Sequence, residues 1–328
     1  MSKKVALITG MAGQDGSYLA EYLLGLGYEV HGIVRRNSVP EHQESRLDHL
    51  ANEISAHYGD VTDQASISRI LNRVNPDEIY NLAAQSHVRI SFEIPGFTAD
   101  TNALGTLGLL EAIRNTGSQA KFYQASSSEM FGDSVDGYYF QRETTPMHPV
   151  SPYGCSKLFS YHITRNYRKS YSLFAANGIL FNHESPRRGS NFVTSKIIKT
   201  AVEIKLGLKN ELILGNLDSK RDWGHSKDYV RAMHLMLQHE VPDDWVVATG
   251  HTRSVRELLE LVFLQLNLNY EQYVKQDPRF FRPEELPYLK GDSLKIRSIL
   301  GWKPEIGFEE MISEMVDSWS KKLSSGLN

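Results

Sequence analysis

The sequence predicts an α/β protein: a doubly wound, Rossmann-type parallel sheet with a smaller, irregular C-terminal substrate-binding part. Three observations carry this. The apolar run Val5-Ala6-Leu7-Ile8 leads directly into Thr9-Gly10-Met11-Ala12-Gly13-Gln14-Asp15-Gly16, the order of strand, glycine turn and helix that a dinucleotide-binding unit requires. Short apolar runs then alternate with amphipathic stretches through the first half, as strands and crossover helices do in a parallel sheet. Past about residue 178 the alternation loosens into loops rich in Gly, Asn, Pro and Arg.

Strands are predicted at residues 4–8, 29–34, 54–58, 78–82, 121–125 and 174–180. Between the first two, Tyr18-Leu19, Tyr22-Leu23 and Leu26 recur at helical spacing, and Leu107, Leu110 and Ile113 do the same within 106–114. Later helices are predicted at 193–206, 227–238, 255–266 and 308–322. This places a dinucleotide-binding domain at 1–178, rejoined by parts of 217–240, and a substrate domain mainly at 179–328.

Composition excludes several classes of function. A length of 328 residues leaves room for two closely packed lobes, and a net charge of -3 gives no cationic excess for nucleic acid. The one cysteine, Cys155, excludes an internal disulfide, and no Cys/His cluster has zinc spacing, so no metal is expected. No apolar stretch approaches the ~18 residues that span a bilayer. The N-terminus runs straight into the first strand, leaving no room for a signal peptide. A cytoplasmic, membrane-free protein is expected.

Gly10, Gly13 and Gly16, with Ala12, Gln14 and Asp15 between them, would let backbone N–H groups approach a pyrophosphate at the helix N-terminus. An NAD enzyme would place Asp or Glu after the second strand to hold the ribose 2′-hydroxyl. This chain has Val34-Arg35-Arg36-Asn37-Ser38, and guanidinium groups beside a hydroxyl suit a 2′-phosphate, hence NADP. Asp60-Val61 and Leu82-Ala83-Ala84-Gln85-Ser86 fall at carboxyl ends of strands, where open sheets gather ligands. Asp60 serves there, or caps a helix before Val61-Thr62-Asp63, or both.

Tyr153 and Lys157 stand four residues apart in Tyr153-Gly154-Cys155-Ser156-Lys157, on one helical face, where a cation stabilises a phenolate. A phenol with its ordinary pKa of ~10 needs that help to act as a base. In Ala125-Ser126-Ser127-Ser128-Glu129-Met130-Phe131-Gly132, two-residue spacing would point Ser127 and Glu129 to the same side of an extended chain, toward Tyr153. A reductase or epimerase needs only the hydroxyl. A dehydratase needs the carboxylate as well, to take a proton beside a carbonyl and deliver one to departing hydroxide.

The TGxxGxxG turn with YxxxK resembles the extended short-chain dehydrogenase/reductase superfamily across the first half of the chain. QDGSYLAEYLLGLGYEVHGIVRRNS, NLAAQSHV, GILFNHESPRRG, DSKRDWGHSKDYV, DPRFFRPEE and LGWKPE closely resemble the GDP-mannose 4,6-dehydratase family over nearly the whole chain. The resemblance implies an NADP enzyme that dehydrates a GDP-sugar, regenerates its cofactor and forms a homo-oligomer, dimer or tetramer. It implies Tyr153 as base at O4, Lys157 also on the nicotinamide ribose, Glu129 acting at C5 and C6, and Ser127, where the family usually carries Thr, bonding O4. Leu180, Asn182, His183 and Arg188 match positions at the cofactor or substrate phosphates. Ser86, Val193, Lys196, Leu214, Gly215, Arg221, Arg282 and Glu285 match the substrate site; the arginines suit a diphosphate, and Glu285 suits a guanine edge. Trp223 and Trp302 are read as core.

Two departures stand near the expected sugar pocket. Met147-His148-Pro149-Val150-Ser151 replaces FYPRS and loses an arginine, and His87-Val88-Arg89-Ile90-Ser91 adds one. Residues 39–45 are also atypical of the family. A related substrate such as GDP-manno-heptose therefore stays open, and more distantly a nucleotide-sugar reductase or epimerase, or a non-catalytic NADP-binding regulator.

Overall fold

The computed structural model describes residues 3–35, 46–281 and 283–326. Its central sheet has β1 (Val5–Thr9), β2 (Glu29–Val34), β3 (Ile54–Tyr58), β4 (Glu78–Asn81), β5 (Lys121–Ser127), β6 (Ala175–Leu180) and, after a long excursion, the strand Asp244–Val247. All pairings are parallel, in the order Asp244–Val247, β6, β5, β4, β1, β2, β3. Parallel strands carry helices on both faces, so both faces must be apolar. Every residue of β4 and β6 is buried accordingly, whereas β3, at the edge, leaves Tyr58 exposed.

Neighbouring strand residues point to opposite faces. Ala6 and Ile8 pack under helices Gln14–Gly25 and Ser226–Gln238 with Leu19, Leu23 and Met233. Leu7 packs under helices Gln64–Val74, Gly105–Thr116 and Pro152–Ser170 with Ile67, Leu109 and Tyr167. Full burial of such a side chain stabilises the fold by about 1.5–3 kcal/mol. The chain steps outward through β1, β2 and β3, then returns to lay β4 on the other side of β1. The reversal opens a crevice at the carboxyl ends of β1 and β4, where such sheets bind ligands.

A second core roofs this crevice. Helices Val193–Lys205, Val255–Gln265 and Phe308–Ser324 bury Ile198, Val202, Leu259, Val262 and Met315 against one another. Ser254 and Glu257 begin the middle helix with a reciprocal capping box, at 3.1 and 2.6 Å. Strand Lys220–His225 pairs with Asn182–Glu184 and Thr252–Ser254 to join the layers.

The boundary expected after residue 178 falls inside β6, and the chain returns to the sheet through helix Ser226–Gln238 and strand Asp244–Val247. That strand, and helices Gln64–Val74 and Leu294–Leu300, are absent from the sequence reading. Asp63, not Asp60, caps helix Gln64–Val74, accepting from the Ala65 and Ser66 amides at 3.1 and 3.3 Å. Asp60 instead closes a local turn onto the Thr62 amide and hydroxyl at 2.9 and 2.7 Å. Among the described residues, no helix is long and apolar enough to cross a membrane.

Candidate active site

At the end of β1, Gly10 turns the chain with φ +69°, a conformation open mainly to glycine. A Cβ on Gly10 would lie 2.9 Å from the Ala83 amide nitrogen, and one on Gly16 only 2.4 Å from the Gly10 carbonyl oxygen. The turn thus closes tightly onto helix Gln14–Gly25, whose N-terminus at Gly13 has no side-chain cap. Free N–H groups and a positive helix end suit a pyrophosphate.

Asp15 in this first turn would repel that anion if left alone. Its carboxylate lies 2.7 Å from His183 Nε2, and His183 Nδ1 faces the Phe181 carbonyl at 2.7 Å. Both ring nitrogens meet acceptors, as an imidazolium requires. Burial opposes both charges, but the pair outweighs it: His183 is held above its ordinary pKa by Asp15, and Asp15 below its own by His183 and then Arg188. The uncapped turn and internally neutralised carboxylate fit a dinucleotide.

Helix Pro152–Ser170 starts where the Ser151 hydroxyl accepts the Gly154 amide at 3.0 Å. One turn separates Tyr153 from Lys157, and the Lys157 ammonium lies 5.9 Å from the centre of the Tyr153 ring. It donates to the Ala125 carbonyl of β5 at 2.8 Å. Burial pushes the Tyr153 phenol up to about 12; a hydrogen bond with Ser127 works against the rise and the Glu129 charge adds to it. Burial pushes Lys157 down to about 8. Desolvation thus dominates at the phenol, and the Lys157 ammonium is turned onto a backbone carbonyl.

Glu129 is also placed differently from expectation. β5 stops at Ser127, whose hydroxyl accepts the Glu129 amide at 3.2 Å and bends the chain into the short turn Ser128–Phe131. Glu129 therefore reaches the site from a turn and not from an extended strand. It is buried, and its charge is felt by Tyr153.

Asn102 escaped the sequence reading. It lies in a widened π turn, Asp100–Leu104, inside the rod that runs from Pro95 to Thr116, a feature common at functional sites. Its amide oxygen accepts from the Gln85 N–H at 2.8 Å, and its amide nitrogen donates to the Gln85 carbonyl at 3.1 Å and the Ser156 hydroxyl at 3.0 Å. Asn102 thereby ties the loop after β4 to the helix of Tyr153. A lone Asn in a single sequence gives no signal of this role.

The glycine turn, Glu129, Tyr153 and Lys157 open on one cleft of about 890 Å³. Gly10, Gln14, Asp15 and Gly16 line it from the glycine turn, and Leu82, Ala84 and Ser86 from the loop after β4. Ser127, Glu129, Tyr153 and Lys157 line it, as do Leu180 at the end of β6 and Asn182, His183 and Arg188 beyond it. Val193, Lys196, Leu214, Gly215, Arg221 and Glu285 complete it from the C-terminal layer. Ala12, Gly13, Arg35, Asp60, Val61 and Ala83 are not in its wall. Ala12 and Gly13 form the outer side of the turn, while Arg35, Asp60 and Val61 lie at the ends of β2 and β3, beyond it. Asn37, Ser38 and Arg282, with Arg36 and residues 39–45, lie outside the described residues.

Two of the cleft cations, Arg188 and Arg221, are held by identifiable partners. Arg188 lies 2.9 Å from buried Glu184 and over the Phe192 ring at 3.6 Å. Arg221, also buried, donates to the Lys220 and Leu286 carbonyls at 2.9 and 2.8 Å. Trp223, read as core, is buried but also lines the cleft; Trp302 is core, its indole donating to the Asp228 carbonyl at 2.8 Å. Met147 and Val150 pack against the cluster of Met130 and Phe131 and do not line the cleft, whereas Arg89 does.

Comparison with known proteins agrees with this geometry. The family model described as GDP-mannose 4,6 dehydratase matches residues 7–315. GDP-mannose 4,6 dehydratase 2 of Arabidopsis thaliana is 53% identical, over 96% of this chain and 86% of its own. The human GDP-mannose 4,6 dehydratase is 49% identical, over 96% of this chain and 91% of its own. Among solved structures, the UDP-glucose 4-epimerase of Thermotoga maritima superposes with a TM-score of 0.85 at 26% identity, covering 97% of this chain and 99% of that one. With the family pattern matched from β1 into the last helix and about half of all residues shared with plant and animal relatives, the chain belongs to the GDP-mannose 4,6-dehydratase family.

Proposed function

We propose that this chain removes water from GDP-mannose to give GDP-4-keto-6-deoxymannose, using NADP that is regenerated in every turnover. The carrying observation is Glu129 buried beside Tyr153, in a cleft that also holds the uncapped glycine turn. When bound, the oxidised nicotinamide supplies a hydride acceptor for C4, a positive charge beside Tyr153, and the same hydride for C6 afterwards. Tyr153 takes the O4 proton, with Ser127 bonded to its hydroxyl and Lys157 presenting a cation to the ribose side. A ketone at C4 acidifies C5. Glu129 removes the C5 proton and gives it to the C6 hydroxyl, which leaves as water. C5 then takes up a proton, which balances the one Tyr153 removed from O4.

For NADP over NAD the support is Arg35 at the end of β2, with Arg46 donating to the Ala12 and Arg187 carbonyls at 3.2 and 2.8 Å on the outer side of the turn. We assign Asn37 and Ser38 to the same 2′-phosphate, Asp60, Val61 and Ala83 to the adenosine side, and Arg282 to the nucleotide of the substrate. A Thermus thermophilus UDP-glucose 4-epimerase, 28% identical with TM-score 0.82, is described in complex with NAD. RMD from Pseudomonas aeruginosa, of the same fold, is complexed with NADPH. Residues 1–178 would hold the cofactor with help from 217–240, and 179–328 mainly the GDP-sugar. Exposed Phe97, Leu104 and Phe159, on helical segments packed together, support association with further copies of the chain in a dimer or tetramer. We place the protein in the cytoplasm.

The second reading is a GDP-manno-heptose dehydrated by the same steps, which requires Arg89, in the cleft wall, to face the sugar and not the diphosphate. Incubation with each GDP-sugar, with NADP and with NAD, tests both points by mass. GDP-mannose with NADP should lose one water. Consumption of the heptose alone would overturn the sugar, and faster turnover with NAD would overturn the cofactor.

A further inference from the structure

We infer that Arg89 is a diphosphate-binding residue of the substrate site, forming with Lys196 a pair of cations that receives the phosphates of a nucleoside diphosphate. This rests on the sugar-nucleotide reading of the cleft. Arg89 stands in the short helix Val88–Glu93 on the sheet side, and Lys196 in helix Val193–Lys205 on the C-terminal side. One aromatic ring brings them together: the Phe280 centre lies 5.6 Å from the Arg89 guanidinium carbon and 4.6 Å from the Lys196 ammonium. All three residues line the cleft, and Arg89 is exposed.

Among the described residues, no carboxylate lies within ion-pair distance of either cation. Lys196 donates to the Ile213 carbonyl at 2.7 Å. Glu93, one turn beyond Arg89, also lines the cleft but forms no ion pair with it. Arg188 and Arg221 are already committed, the first to Glu184 and the second to two backbone carbonyls. Like charges held side by side without a counter-ion repel, and Lys196 is held below its ordinary pKa by burial and then by Arg89. A phosphate relieves that repulsion. It also offers Arg89 a bidentate, charge-assisted contact stronger than an exposed cation–π contact.

Position favours the diphosphate over the sugar. Phe280 is packed onto the nucleotide wall, where a Cβ on Gly215 would fall 2.7 Å from the Phe280 carbonyl oxygen. Arg89 therefore lies over the ring that links Lys196 to the Gly215 wall, while Ser127, Glu129 and Tyr153 stand at the end of β5, in the turn after it and on the helix beside it.

The test is calorimetric binding of GDP and of GMP to the NADP-loaded protein. Arg89→Ala should raise the Kd for GDP about tenfold and that for GMP no more than about twofold. Arg89→Lys should recover part of the loss, since an ammonium meets phosphate as a point charge. Wild-type protein that fails to bind GDP would sink the sugar-nucleotide reading itself. Tight GDP binding by wild type, matched within twofold by Arg89→Ala, would overturn the role of Arg89 alone. Equal losses for GDP and GMP, or a parallel loss of NADP affinity, would also overturn it, showing that Arg89 serves the nucleoside or the fold.

Discussion

Glu129→Gln should stop the release of dehydrated product, lowering turnover by about a thousandfold, within the usual range for a lost general acid–base. That corresponds to ~4 kcal/mol of barrier. The substitution keeps the volume of a buried side chain, so the cleft keeps its shape. It removes the only group in this account that shuttles a proton between C5 and the C6 hydroxyl. It also removes a negative charge that raises the Tyr153 phenol. Oxidation at C4 should therefore survive, or even ease. Rapid mixing with GDP-mannose should show reduced-nicotinamide absorbance building to no more than one equivalent per site, with no mass loss of water. Unchanged turnover would contradict the assignment of Glu129.

Tyr153→Phe should fail one step earlier. Without the phenolic oxygen nothing accepts the O4 proton, so absorbance should not change at all and turnover should fall by about two to four orders of magnitude. The ring still fills its place beside Lys157, and the lost hydrogen bond to Ser127 costs only about 1 kcal/mol of stability. NADP affinity and thermal stability should stay close to wild type. The pH profile carries a related sign. Lys157, lowered by burial to about 8, is charged below that value and loses its ammonium as pH rises through it. Wild-type activity should accordingly decline on the alkaline side of about 8, and a cofactor-reduction burst in Tyr153→Phe as large as that in Glu129→Gln would contradict the division of labour.

Much of the fold was legible because the strands of a parallel sheet are apolar on both faces and are bounded by turn residues. β2 and β3 match expectation at both ends, and the helix expected from residue 255 begins at Val255. Strand Asp244–Val247 escaped because Asp-Trp-Val-Val is too short to show a period, and it earns its place only by pairing with β6. Helix Gln64–Val74 escaped because its apolar stripe, Ile67, Ile70 and Leu71, is brief among polar residues.

The site was legible where chemistry fixes spacing, as in the glycine turn and the Tyr153–Lys157 pair. Burial and local capping were not legible. The alternation argument for Ser127 and Glu129 assumed an extended chain, which the Ser127 cap interrupts. The neutralisation of Asp15 depends on His183, distant in sequence and brought close only by the fold. Trp223 reads as core by composition, yet the same ring lies in a buried wall that also faces the cleft.

The central claim is that one site oxidises C4, expels water and returns the same hydrogen to C6. GDP-mannose carrying deuterium at C4 tests it most directly. After turnover in ordinary water with unlabelled NADP, the product should carry the deuterium at C6 and its C5 hydrogen from solvent-exchangeable groups. Deuterium lost from the product, or retained at C4, would contradict the account.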